Sequence, residues 1–82
     1  TAAAAQRRIV RAVGAVIAAA PAVPTLFVGH GGVGTLLKCH CGGLAIARSE
    51  DQGGSGGGNH FGFRWGAPVL GYGWRPMEEP PP

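Results

Sequence analysis

The side chains in this 82-residue chain with ligating or nucleophilic chemistry to offer are three histidines and two cysteines, His30, Cys39, His40, Cys41 and His60. They could supply soft ligands to zinc. However, Cys39 and Cys41 lack the two-residue spacer of a zinc knuckle, so the metal signal is weak. One residue apart, they are also too close for a routine mutual disulfide and read as free thiols. A histidine in an apolar helix has another use, as axial ligand to the magnesium or iron of a flat macrocycle. His30, among Gly29, Gly31, Gly32 and Gly34, has space for such a ring, and His40 has a similar claim. The plainer reading of each is a side chain bonded to a neighbouring subunit. No Ser/His/Asp set and no carboxylate pair lies where it could work, so the chain reads as non-enzymatic.

Gly29 to Gly34 also fits G-x-G-x-x-G, follows the strand-like run Thr25 to Val28, and has Glu50 and Asp51 about twenty residues later. That fingerprint works only inside a βαβ unit. Here the second half is a Gly/Ser run with no second strand, and the lysine of a Walker A loop is missing. Nucleotide binding is therefore not expected.

The elements that would carry His30 and His40 follow from the charge pattern. Residues 2–19 hold good helix formers, with Ile9, Val13, Val16 and Ile17 on one face and Arg7 and Arg11 on another. This predicts an amphipathic N-terminal helix that packs on a partner or lies at an anionic membrane surface. From Ala12 to Leu37 there are 26 residues without a formal charge. As helix they would reach about 39 Å, against a hydrocarbon core of ~30 Å. Pro21 and Pro24 are compatible with a helix only in its first turn, where the amide groups have no internal acceptor. The spacing thus predicts one transmembrane helix over residues 20–47, with Lys38 near its far end reaching for the interface. The glycines imply a close helical neighbour or flat ligand. Arg7, Arg8 and Arg11 put the N-terminus on the matrix or stromal side.

Composition agrees. At 8.3 kDa, with 16 Gly and 7 Pro, there is no room for a second domain, and six aromatics make a thin core for a stand-alone enzyme. Charged residues are 13%, against ~25% in soluble chains. Seven basic and four acidic residues give a net charge of +3, but the only basic cluster is Arg7, Arg8 and Arg11. A nucleic-acid partner is not expected from so small a cluster. The Thr1 start and the acid-free, Ala-rich first twenty residues resemble an organelle transit segment, retained here. Gln6 to Val10 is also a short match to a twin-arginine signal.

Residues 48–60 read as a flexible Gly/Ser-rich linker. Residues 61–82, with Phe61, Phe63, Trp65, Tyr72 and Trp74 among Gly and Pro, read as an extended arm whose rings anchor on a partner or mark the membrane interface. The expected fold is mainly α: an amphipathic helix over 1–19, one transmembrane helix over 20–47, then a long irregular C-terminal arm.

The run from Ala20 to Gly29 resembles the start of the membrane helix in the small photosystem I reaction-centre subunit J. Ala20, Pro21, Thr25, Leu26, Phe27 and Gly29 coincide with that family's pattern, and Leu36-Leu37 falls on its Leu-Leu pair with a small shift. The likeness covers about twenty of the 82 residues. Where the family continues with an acid able to ligate chlorophyll, this chain has Leu37-Lys38-Cys39-His40, so that ligand does not carry over; His40 or His30 would substitute. The resemblance implies a non-catalytic accessory subunit in the chloroplast thylakoid membrane. Its cofactor would be chlorophyll, by ligation or contact, together with carotenoid, and its partners would be lipid, pigments and the other subunits of a photosynthetic complex. The rivals are an accessory subunit of a mitochondrial inner-membrane respiratory complex and a basic arm-like organelle ribosomal protein.

Overall fold

The computed structural model of the chain describes residues 1–53, 58–67 and 69–82. Alanine dominates helix α1, Ala2–Ala19, because it sacrifices no side-chain freedom there. The Thr1 hydroxyl caps it by accepting from the Ala4 amide at 3.1 Å. Pro21 ends it, since the residue before a proline is pushed out of the helical region. Ala20 is already non-helical (φ −139°, ψ 65°), and Ala22 is held at φ 63°, a left-handed conformation that costs an alanine about 1 kcal/mol.

A connector follows, and here the structure corrects the expected fold. The charge-free stretch is not one element. It is divided among the end of α1, the irregular residues 20–30, and the first half of α2, which runs only Gly31–Gly42. Pro21 and Pro24 bar helix at Ala20 and Val23, and helix resumes only after His30, itself extended, supplies the N-cap. Twelve residues make about 18 Å of helix, well short of a bilayer core. Among the described residues no helix is long and apolar enough to cross a membrane. Lys38 is not near an interface either; it lies in the core, 7% exposed. Gly43, in the left-handed conformation, closes α2 with its amide on the Cys39 and His40 carbonyls, and the Leu44 amide returns to Cys39.

The second correction is the C-terminal arm. After a 3₁₀ turn at Arg48–Glu50, strands β1 (Asn59–Phe63) and β2 (Leu70–Pro76) pair as an antiparallel hairpin. Asn59 faces Pro76 and Phe63 faces Leu70, with two irregularities that let seven residues of β2 oppose five of β1. Residues 54–57, the middle of the expected linker, lie outside the described residues.

Of the rings expected to anchor on a partner, Phe61 and Phe63 pack against this chain's own core instead, while Trp65 remains exposed. Phe61 meets Trp74 edge to face at 5.1 Å, and Phe63 packs near Phe27 and Trp65. They cover a small core of Val13 from α1 with Leu37 and Cys41 from α2, joined by Ile9, Val10 and Ile17. The radius of gyration is 12.2 Å, close to the ~12 Å of a folded domain this long. A trailing arm would raise it.

Candidate functional site

Two polar knots fasten the hairpin, one to α2 and the 3₁₀ turn and the other to the residues that follow β2. In the first, Lys38 Nζ donates to the Glu50 carboxylate at 2.8 Å and to the Glu50 carbonyl at 3.0 Å. Trp74 Nε1 donates to the same carbonyl at 2.7 Å, and the ammonium lies 5.8 Å from the Trp74 ring centroid. A buried ammonium is tolerable only when so surrounded. This knot joins α2, the 3₁₀ turn and β2. Its groups are all engaged with one another, which suits a structural latch.

In the second knot, His60 Nε2 faces two carbonyls, Pro76 O at 3.2 Å and Glu79 O at 2.9 Å, so it carries the proton and donates. Nδ1 then accepts from the Tyr72 hydroxyl at 2.9 Å. Tyr72 in turn lies against Gly62, where an added Cβ would clash with the ring. His60 therefore ties the end of the chain to the hairpin.

His30 and His40 occupy opposite ends of α2 and are not brought together. His30 is the exposed N-cap residue and makes no side-chain capping bond. Among the described residues nothing lies over neighbouring Gly29, and Gly31 on the other side lies against the polar Gln52 side chain, so exposed His30 has no two-sided apolar slot of the kind a flat macrocycle needs. The geometry around His30 does not fit a buried pigment. His40 is exposed in the last turn, its ring 5.9 Å from Trp65. Among the described residues no three His, Cys, Asp or Glu side chains converge to hold a metal. Cys39 is fully buried, and burial pushes the Cys41 thiol above its ordinary value of 9.0, so neither is a ready nucleophile.

What stands open is the connector. Leu26 is 78% and Val28 90% exposed, while Phe27 between them turns inward to stack on Phe63 at 6.5 Å. Phe27 is the one residue from Pro21 to His30 that is partly covered, and the segment forms no strand pairing with any described residue. Sequence reasoning placed these residues inside a helix and so missed the outward face. The signal was available in Pro21 and Pro24, which are poor neighbours for helix, and in the β-favouring run Thr25 to Val28. Comparison with protein-family models finds no match, and neither does comparison with curated proteins or with solved structures.

Proposed function

We propose that this chain is a non-catalytic structural subunit that works by associating with other protein chains, the connector 20–30 being its contact surface. The observation that carries the reading is the outward exposure of Leu26 and Val28 in a stretch with no charge from Ala12 to Leu37. Two large aliphatic side chains left in water on an uncharged segment favour burial against a partner. The photosystem I setting rests on the resemblance over residues 20–37. Without a spanning helix there, such a subunit would lie against the particle's surface.

The test is native electrophoresis of the chain from its own cells. The wild type is expected to migrate with a particle much larger than 8.3 kDa, and Leu26→Asp with Val28→Asp to release it, with its circular dichroism unchanged. A free wild-type chain, or a variant that stays in the particle, would overturn the reading.

A further inference from the structure

Trp65 is placed unlike the other tryptophan. It is 37% exposed, and its indole nitrogen makes no hydrogen bond among the described residues, whereas that of Trp74 is bonded to the Glu50 carbonyl. The six-membered ring of Trp65 lies on Gly14 of α1, where an added Cβ would come within 3.1 Å, and the exposed His40 ring of α2 is 5.9 Å away. Gly14 shares a stripe of α1 with Arg7 and Arg11, its neighbours at i−7 and i−3, about 10 and 5 Å along the axis. Arg8 stands beside them, and Arg64 precedes Trp65 in the chain. All four arginines are exposed, and none makes an ion pair with a described residue.

In the sequence Arg7, Arg8 and Arg11 are the whole basic cluster; folding adds Arg64 and two rings to it. The acids are elsewhere. Glu50, the first in the chain, is held by Lys38, which lies about 200° round α2 from His40, and Asp51 follows it. Glu78 and Glu79 come after the Asn59–Pro76 end of the hairpin, opposite the end that leads into Arg64 and Trp65. We propose that this patch binds single-stranded nucleic acid, with Trp65 stacking on a base and the arginines holding neighbouring phosphates. An exposed ring bordered by unpaired guanidinium groups matches the two features a single strand repeats, an aromatic face and a phosphate. An acidic protein or an anionic bilayer would also attract the arginines, but each needs more apolar surface than Trp65 alone presents here, since the α1 stripe continues beyond Gly14 only as Ala18. Stacking and phosphate contacts carry no base code, so binding is sequence-tolerant and salt-sensitive. The patch shares no residue with the connector, and the inference goes beyond the associating-subunit reading without resting on it.

Fluorescence anisotropy of a labelled, mixed-sequence single-stranded RNA of about twelve nucleotides, titrated with the purified full chain across a salt series, tests this. Expected is saturable binding whose log affinity falls against log salt with a slope of up to about −3, as four phosphate contacts give on a single strand. Trp65→Ala should weaken it about five- to a hundredfold at unchanged slope, and Trp65→Phe, which keeps a ring over Gly14, should restore most of the loss. Arg7→Gln with Arg11→Gln, on exposed side chains outside the core, should make the slope shallower by about 1.4. The same sequence as a duplex, its bases already stacked, should bind more weakly. No binding at ~50 mM salt, equal affinity for the duplex, or indifference to Trp65→Ala would overturn the proposal. So would tighter uptake by vesicles of mixed phosphatidylserine and phosphatidylcholine, or displacement of the RNA by polyglutamate at equal charge, each of which would assign the patch to another anion.

Discussion

Cys41 shows how burial sets a residue's chemistry in so small a protein. Desolvation raises its thiol above the ordinary value of 9.0, so the folded chain prefers it neutral while the unfolded chain ionises it first. Its contribution to stability is present below pH 9 and is lost as pH climbs from there toward the folded value. Urea titrations at rising alkaline pH should show this decline, and Cys41→Ala should flatten it; an unchanged slope would mean the thiol is not desolvated. Gly62 is the other telling residue. Tyr72 lies across it, held by the hydroxyl's bond to His60, so the ring cannot retreat freely. Gly62→Ala is expected to destabilise the fold by about 1–3 kcal/mol, read from the urea midpoint. Neither role was legible in the sequence. His60 looked like a spare metal ligand and Gly62 like one glycine of many, because cross-strand register decides both and register is a long-range property.

Among the elements, the latch between α2 and β2 makes an asymmetric prediction. Glu50→Ala leaves the Lys38 ammonium buried without its carboxylate and should cost about 2–4 kcal/mol, the lower part reflecting partial exposure of Glu50. Lys38→Met replaces the charge with apolar bulk and should cost about 1 kcal/mol or less, because Trp74 still satisfies the Glu50 carbonyl. Chemical denaturation of both variants checks the order, and equal costs would contradict it. The helix over residues 2–19 was readable because alanine and the spacing of Ile9, Val13 and Ile17 are local signals. The one exception on that face is Val16, which stays exposed. The hairpin was less readable. Phe61, Phe63 and Trp65 recur at every second position, as an inward strand face does, yet the surrounding glycines and prolines made an unpaired arm the simpler reading. The transmembrane helix failed for a different reason. Absence of charge measures compatibility with lipid, whereas a continuous helix also needs backbone compatibility, which Pro21 and Pro24 deny; Gly31, Gly32 and Gly34 lie in the short α2 instead.

At the scale of the whole molecule, the core of Val13, Leu37 and Cys41, walled by aromatic rings, is a small reserve for 82 residues. An exposed, uncharged connector on so thin a core fits a protein that gains stability by association, since a partner that binds only the folded form shifts the folding equilibrium by mass action. The most direct test of that account is amide hydrogen exchange along residues 20–47, in the isolated monomer at low concentration and again in the native particle. Leu26, Phe27 and Val28 should exchange fast in the monomer, between slower blocks in α1 and α2, and slow down in the particle. Protection continuous from residue 20 through α2 in the monomer, or a connector that stays fast in the particle, would contradict it.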